Sequence, residues 1–161
     1  MKLFNRSKQT LIYAACDGEV VLAKDINDDV FSEEMLGKTY GIKPSCKDVL
    51  SPIDGKVCLV YPTLHAIGIK SSKGFEILIH IGIDTVNLKG EGFESFVKVG
   101  TKVKKGTKLV SFDYEGIAKK GIDTTVITII LNKNNFIVDD IEDCKNVIAA
   151  TSVISIVDRQ T

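Results

Sequence analysis

Short apolar runs, rich in Val and Ile, recur along the whole chain and are bounded by Gly, Pro, Asp or Ser. Runs of this kind are typical of β-strands separated by turns, whereas amphipathic helices need longer stretches with a period of about 3.6 residues. The pattern predicts strands at residues 11–14, 19–23, 49–50, 55–61, 65–70, 75–81, 108–113, 124–131 and 153–157. The sequence therefore predicts an all-β fold.

Two short segments have a helical pattern, residues 32–36 and residues 114–120. Ser32 is expected to cap the first of them, because acidic residues follow it in the first turn. Residues 99–109 read as two strand ends joined by a glycine turn. These features together predict a mostly antiparallel β sandwich, or a barrel-sandwich hybrid, with one or two short helical turns. Periodicity alone does not distinguish the sandwich from the hybrid.

The length of 161 residues fits one domain with its own apolar core. We expect a flexible tail at residues 1–10 and a single domain at residues 11–161 that acts as a monomer. Asp17 and Glu19 interrupt the apolar stretch that follows the basic start of the chain. This stretch therefore predicts neither a signal-peptide core nor a membrane span, and a cytoplasmic protein is expected.

Charge and cysteine usage exclude several classes of protein. Lys plus Arg and Asp plus Glu each number 21, so the chain is formally neutral and lacks the basic excess of a nucleic-acid binder. The four cysteines form no Cys-x-x-Cys pair, which argues against a zinc ribbon; they are Cys16, Cys46, Cys58 and Cys144. Free thiols in a reducing compartment are the simpler interpretation.

The only two histidines of the chain lie in strand-like runs on either side of a turn. If Ser72 and Lys73 form a two-residue loop, His65 lies directly opposite His80, with Cβ atoms ~4.5–5.5 Å apart. Gly74 offers an alternative, a three-residue loop with a bulge, which changes the register. The sequence thus predicts a β-hairpin. In the register with the two-residue loop, both imidazoles can contact one small group.

The second of these runs alternates between an isoleucine face and a face that carries His80. In the two-residue-loop register, Gly82 lies opposite Thr63 and leaves space beside His80 for a phosphate or a partner. Thr63 shares a face with His65, so its hydroxyl is expected to fix the tautomer of that imidazole. Asp84 is placed to orient an imidazole or to hold a cationic partner residue, although an acid near a strand end is commonly just solvated.

A facing pair of histidines suits phosphoryl relay. A neutral imidazole is a competent nucleophile at neutral pH, because its ordinary pKa is about 6.5 and no strong base is needed. The second imidazole can then stabilise the charge on the transferring group by a hydrogen bond. From spacing alone, a purely structural role for either histidine stays open.

The segments around the histidines are specific enough to suggest a family: residues 62–66 read PTLHA and residues 78–86 read LIHIGIDTV. They resemble the enzyme IIA domain of the glucose class of phosphoenolpyruvate-dependent sugar phosphotransferase systems. The resemblance continues through residues 29–37, 42–44, 51–55, 88–93 and 112–113. It therefore covers nearly all of the chain beyond the first dozen residues.

The resemblance implies a phosphocarrier with a mostly antiparallel β sandwich. It implies that His80 takes a phosphoryl group from the phosphorylated histidine-containing phosphocarrier protein and passes it to a cysteine on the enzyme IIB domain of a sugar permease. His65 matches the stabilising histidine, and Thr63 matches the threonine that steadies it. Both partners would dock on an apolar patch that maps to Val30, Phe31, Tyr61, Leu78 and Val86, and contact with the membrane permease would be peripheral.

No cofactor and no intrinsic metal are expected. In some relatives the two histidines share a zinc ion with a carboxylate of a partner, but His65 and His80 alone make an incomplete zinc site. Residues 37–39 and 146–151 depart from the family pattern without touching the histidines. These departures put in doubt any regulatory interface that depends on those loops.

Two alternative functions fit the residues less well. A zinc peptidase on a small β fold normally needs three protein ligands and a water, whereas this chain has two histidines and no His-x-His pair. A biotinyl or lipoyl carrier would explain the VKKG segment at residues 103–106. That segment lacks the lysine-centred hairpin motif of such carriers, so shared turn chemistry explains it better.

Overall fold

The computed structural model describes residues 9–131, 135–140 and 145–159. Within these ranges β-strands are the main secondary structure, and they are accompanied by two short α-helices and single 3-10 turns at Ala23–Asp25 and Thr85–Leu88. The elements in chain order are β1 (Gln9–Tyr13), β2 (Gly18–Leu22), α1 (Asp29–Ser32), β3 (Gly37–Pro44), β4 (Asp48–Leu50), β5 (Gly55–Val60), β6 (Ala66–Ser71), β7 (Glu76–Ile81), β8 (Phe93–Ser95), β9 (Lys102–Val103), β10 (Lys108–Phe112), α2 (Tyr114–Lys119), β11 (Val126–Leu131), β12 (Phe136–Asp140), β13 (Asn146–Val147) and β14 (Val153–Arg159).

The strands form three sheets in which every described pairing is antiparallel. The largest sheet has the order β13-β2-β3-β11-β7-β6-β5-β9, and the two smaller sheets have the orders β1-β14-β12 and β4-β10-β8. This architecture confirms the predicted all-β, mostly antiparallel fold. The β6–β7 hairpin lies in the interior of the large sheet, between β5 and β11, so both of its strands are paired on both edges.

The main apolar core draws side chains from all three sheets. Alternation along β7 places Ile77, Ile79 and Ile81 in this core, as the sequence pattern predicts. The aromatic rings of Phe75 and Phe112 fill it further, and both are almost fully buried. Because burial of a large apolar side chain stabilises by about 1.5–3 kcal/mol, this face fixes which side of the hairpin points inward. His80 is therefore turned to the opposite, outer face.

A second, smaller apolar cluster lies on that outer face and joins α1 to the large sheet. Phe31 of α1 packs there against Ile127 and Ile129 of β11 and against Ile83, with Ile26 beside them. The predicted helix at residues 32–36 with Ser32 as its cap is wrong: the helix is Asp29–Ser32 and Asp28 caps it. The helix begins earlier because burial of Phe31 against this cluster holds it in the first turn.

Most of the other elements agree with the sequence pattern. The predicted helix at residues 114–120 corresponds to α2, and the segment 99–109 forms β9 and the start of β10 around a turn at Gly106. The pattern missed β3, β8, β12 and β13. β1 includes Gln9 and Thr10, the last two residues of the predicted tail, and the rest of that tail lies outside the described residues.

Cys16, Cys46 and Cys58 are free thiols, and Cys144 lies outside the described residues. Burial raises the pKa of Cys16 far above that of an ordinary thiol, so this cysteine stays protonated. None of the helices formed by the described parts of the chain is long and apolar enough to cross a membrane.

Candidate functional site

The two histidines meet at the open end of the β6–β7 hairpin. Their ring centroids lie 5.0 Å apart, and the rings are nearly perpendicular, at 78°. The predicted register is wrong by one residue, because Ala66 and not His65 is the partner of His80. The hairpin has the alternative three-residue loop, in which Gly74 takes a positive φ of 104°. His65 instead ends the loop before β6, where its carbonyl accepts from the Ile81 N–H at 2.7 Å.

The hydrogen bond made by Nδ1 of His80 determines which of its ring nitrogens carries the proton. Nδ1 of His80 lies 2.8 Å from the carbonyl oxygen of Gly82. A carbonyl oxygen only accepts, so Nδ1 carries the proton and donates this bond. In the neutral imidazole Nε2 then keeps its lone pair, which makes Nε2 the nucleophilic nitrogen. The side chain of His80 is half-buried.

His65 is held by the loop that precedes β6. Its Nδ1 lies 2.6 Å from Oγ1 of Thr63, and the ring of Tyr61 packs against it with centroids 5.3 Å apart. A threonine hydroxyl can donate as well as accept, and when it donates to Nδ1 the proton of the imidazole is at Nε2. The neutral ring of His65 can then donate a hydrogen bond from Nε2. With 5% of its surface exposed, His65 is more deeply buried than His80.

Gly82 has a different role from the one predicted. It does not lie opposite Thr63; its N–H donates to the Thr125 carbonyl oxygen at 2.9 Å. Its φ of 77° is in the left-handed region, and a Cβ atom there would clash with Cγ2 of Thr85 and lie 3.0 Å from the Asp123 carbonyl oxygen. Glycine is thus required for the backbone turn that aims the carbonyl at His80, and not for space beside the imidazole.

Burial lowers the pKa of both imidazoles below the ordinary value of histidine. For His80 the hydrogen bond to Gly82 opposes this shift, the charge of His65 adds to it, and the carboxylates of Asp28 and Asp84 oppose it. Desolvation is the largest of these causes, because the charged imidazolium loses hydration in the partly closed site. Both imidazoles are therefore neutral at pH 7, as nucleophilic attack requires.

The predicted docking residues differ in their exposure. Val30, Tyr61 and Val86 are exposed, with 41%, 45% and 47% of their surfaces accessible, and Leu78 is half-buried. Phe31 is buried, and its ring packs against His80 with centroids 4.9 Å apart. The structure thus brings Phe31 to the histidine as a wall of the site. The other four surround it at the surface or in the second apolar cluster.

Three further residues shape the site and were not predicted. Asp28 accepts a hydrogen bond from the Phe31 N–H and adds a negative charge near His80. Leu64 has a φ of 60°, an unusual backbone conformation for leucine, directly before His65. Thr85 is buried and donates to the Ile81 carbonyl oxygen, which braces the turn after β7. Only Asp28 has a visible sequence signal, as a potential helix cap before an apolar residue.

Asp84 is exposed and adopts φ 60° at the start of the 3-10 turn Thr85–Leu88. Its negative charge raises the pKa of His80. In the described part of the chain, no group of three or more His, Cys, Asp and Glu side chains is arranged to hold a metal ion. The pair of imidazoles supplies at most two nitrogen ligands, which is short of the four that a structural zinc site uses.

Comparisons with known proteins give one consistent result. Residues 10–136 match the family model for the phosphoenolpyruvate-dependent sugar phosphotransferase system, EIIA 1. A glucose-specific EIIA component of Staphylococcus epidermidis is 42% identical over 160 residues, covering 96% of each chain. A glucose-specific EIICBA component of Staphylococcus saprophyticus is 40% identical over 95% of this chain and 22% of its own length. The structure of glucose permease IIA from Mycoplasma capricolum is 38% identical, with a TM-score of 0.84, covering 97% of this chain and 99% of that one.

Proposed function

Because this chain belongs to the EIIA 1 family of the phosphoenolpyruvate-dependent sugar phosphotransferase system, we propose that it carries phosphoryl groups on Nε2 of His80 during glucose-class sugar uptake. One observation supports this choice of atom most directly: Nδ1 of His80 is bound to the Gly82 carbonyl oxygen, which leaves the lone pair on Nε2. His65, 5.0 Å away between ring centroids, is then placed beside the transferred group.

The first transfer is a displacement at phosphorus. Nε2 of His80 attacks the phosphorus atom of a phosphohistidine on the histidine-containing phosphocarrier protein, and a new N–P bond forms. The donor N–P bond breaks, and its electron pair returns to the donor imidazole. His65 donates from Nε2 to a phosphoryl oxygen, which stabilises the negative charge where it develops. Thr63 holds His65 in the required tautomer by donating to Nδ1.

The second transfer reverses the roles. A cysteine thiolate of an enzyme IIB domain attacks the phosphorus on His80, an S–P bond forms, and the electron pair of the N–P bond returns to Nε2. The name of the Staphylococcus saprophyticus relative, EIICBA component, supports a IIB partner, because it places A, B and C components in one protein. This chain would meet the B component in the cytoplasm, at the inner surface of a permease.

The proposed docking surface is the exposed apolar patch around the histidines. Val30, Tyr61 and Val86 supply accessible apolar area, and Leu78 packs against the second apolar cluster. A partner that covers this patch excludes water from the imidazoles, and exclusion of water strengthens the hydrogen bond from His65 to the phosphoryl group. Asp84, exposed beside Gly82, is available to hold a cationic residue of either partner.

The test uses the purified chain with labelled phosphoenolpyruvate, the general phosphotransfer enzyme and the histidine-containing phosphocarrier protein. The wild-type protein is expected to acquire one acid-labile, base-stable phosphate per chain. His80→Ala should acquire none, whereas the surface variant Lys119→Ala should label normally. Acid-labile label on His80→Ala at the wild-type level would show that another residue is the acceptor.

A further inference from the structure

The far end of the β6–β7 hairpin belongs to a row of lysines that spans three neighbouring strands. Lys56 of β5 lies directly opposite Lys102 of β9 on one side and Lys70 of β6 on the other. Directly opposed residues share a sheet face, with Cβ atoms ~4.5–5.5 Å apart. All three lysines are exposed, and we call them the lysine row. On β7 the row ends at Glu76, the partner of Lys70.

Like charges in direct cross-strand opposition destabilise a sheet, so the lysine row carries a cost. The whole chain is formally neutral, with 21 basic and 21 acidic side chains, so a general excess of lysine does not explain the row. Across the part of the chain that the structure describes, none of the three ammonium groups forms a salt bridge. A ligand with matching negative charge would remove the repulsion.

A groove of about 790 Å³ runs beside the lysine row. Its lining includes the row itself, Lys104 and the acidic residue Asp54. Val57 and Val103 also line it but are buried, so Val99 is the lining valine with exposed apolar surface. Val99 is 61% exposed and contributes this apolar surface to the groove. The groove thus offers apolar surface directly beside three positive charges, so a matching ligand has apolar groups next to acidic ones.

The groove and the histidines share the outer face of the large sheet. Along β6, Ala66, Gly68 and Lys70 point to the same side, and Ala66 is the partner of His80. Lys70 lies four positions along the strand from Ala66, which corresponds to ~13 Å. The lysine row is therefore a separate surface from the patch around His80, and a ligand can occupy it while the histidines react.

We propose that the lysine row and its groove bind an amphipathic, acidic helix of a partner protein. Neighbouring side chains at positions i and i+4 on a helix lie ~5–6 Å apart, close to the spacing of lysines on adjacent strands. Two or three carboxylates on one helix face can thus meet successive lysines, while apolar residues beside them cover Val99. A concave groove fits a protruding segment better than it fits the flat surface of a membrane. This inference does not depend on phosphoryl transfer by His80.

The test measures binding of a synthetic peptide to the full chain by fluorescence anisotropy. The fluorescein-labelled peptide forms a helix with Glu at every fourth position beside a Leu stripe, and a matched peptide has Gln in place of Glu. We expect the Glu peptide to bind the wild-type protein, and Lys56→Gln with Lys102→Gln to weaken it about fivefold. Lys119→Gln, a matched lysine on α2, should leave the affinity unchanged.

Three outcomes would overturn the proposal. Equal affinity of the wild-type protein and the Lys56→Gln, Lys102→Gln protein for the Glu peptide would exclude the lysine row as the binding surface. Equal affinity for the Glu and Gln peptides would exclude recognition of the carboxylates. Binding to phosphatidylserine vesicles that depends on Lys56 and Lys102, without binding of the Glu peptide, would identify a membrane surface as the ligand. The double variant should accept phosphate at the wild-type rate, because neither lysine lies near His80.

Discussion

The two ends of the β6–β7 hairpin lie on one face of the same sheet, yet their polar groups differ in whether they are paired within the protein. At the histidine end, Nδ1 of each imidazole is bound within the chain, to Thr63 and to the carbonyl of Gly82. At the lysine end, charges of one sign face each other across three strands without a salt bridge among the described residues. The polar groups at the histidine end are paired within the protein, whereas the lysines of the row are exposed to solvent.

The histidine end is suited to recognition by geometry, and the lysine end to recognition by charge. The histidine end fixes the position and tautomer of two rings, which is what a reaction that transfers a small group requires. The lysine end fixes only a pattern of charge beside apolar surface, which suits a partner of matching composition. Substitutions of polar side chains at the two ends should therefore differ in kind: slower phosphoryl transfer at the histidine end, and weaker peptide binding at the lysine end.

Among variants that keep the phosphoacceptor His80, the largest effect is expected for His65→Ala. Loss of the hydrogen-bond donor to the phosphoryl group should slow transfer from His80 to the IIB domain by about 10²–10³-fold, as removal of an oxyanion donor does in other enzymes. The circular dichroism spectrum should be unchanged, but the melting temperature should fall, because truncation of the buried His65 ring removes its packing against Tyr61. Rapid-quench measurement of phosphate transfer provides the rate.

Thr63→Val is the matched control for this prediction. It keeps His65 but removes the hydroxyl that holds its tautomer, so transfer should slow by about 10-fold, equivalent to about 1.4 kcal/mol. Thr63→Ser should restore most of the rate. An unchanged rate in His65→Ala would show that His65 takes no part in the transfer. The proposed difference between the two ends of the hairpin would then lose its support.

Gly82→Ala tests whether backbone geometry holds the histidine end. The positive φ and the clash with Thr85 and the Asp123 carbonyl should lower the free energy of unfolding by about 2–4 kcal/mol, measured in urea. Gly121→Ala is the control: it has a similar φ of 78° but open space around it, so about 1 kcal/mol is expected. Equal losses in the two variants would contradict a special packing constraint at Gly82.

The pH dependence of stability tests the buried state of the imidazoles. Because burial lowers the pKa of His65 and His80, the unfolded chain takes up protons first as the pH falls. Stability from these groups is fully present above about pH 6.5 and should be lost progressively as the pH drops from there towards the lower pKa values of the folded protein. Urea unfolding between pH 7.5 and 5 should show a shallower decline in the His65→Asn, His80→Asn double variant.

The smallest expected effect is of opposite sign. Lys56→Gln removes the central charge of the lysine row and both of its like-charge contacts, so the melting temperature should rise by about 1–2 °C in low salt. Lys119→Gln should give no such rise, and the difference should vanish at high salt. A fall in melting temperature for Lys56→Gln would mean that the row is already neutralised in the free protein.

Much of the hairpin was predictable from sequence, because isoleucine at every second position of β7 fixes which face is buried. The register was not, since Ser72 with Lys73 and the three-residue loop with Gly74 are both acceptable turn sequences. The burial pattern of a segment this short does not distinguish the two-residue loop from the three-residue loop. The positive φ of Gly74 decided the register, and this depends on the tertiary pairing of both strands.

β3 and α1 show why other elements were missed. β3 contains Gly37, Gly41 and Pro44, which read as turn residues, but it lies between β2 and β11 and gains its stability from pairing on both edges. The acidic residues after Ser32 predict a helix at residues 32–36. In the structure Glu34 instead adopts a φ of 53°, and the chain leaves the helix there.

The candidate site was predicted better by motif than by spacing. The segments PTLHA and LIHIGIDTV marked His65, His80, Thr63 and Gly82, and the structure brings the first three side chains and the Gly82 carbonyl together. The strained backbone at Leu64 has no sequence signal, because leucine rarely takes that conformation. It is imposed by the hydrogen bonds of the surrounding loop.

The three-stranded sheet β1-β14-β12 has a consequence for folding during synthesis. β14, the last strand described, is the central strand between β1 and β12, and Gln9 pairs with Asp158. During synthesis β1 leaves the ribosome early and waits for a partner that is translated near the end. The β6–β7 hairpin, with its short loop, is fully synthesised long before β14. The histidines can thus be assembled on the nascent chain while the layer formed by β1 and β14 is still open.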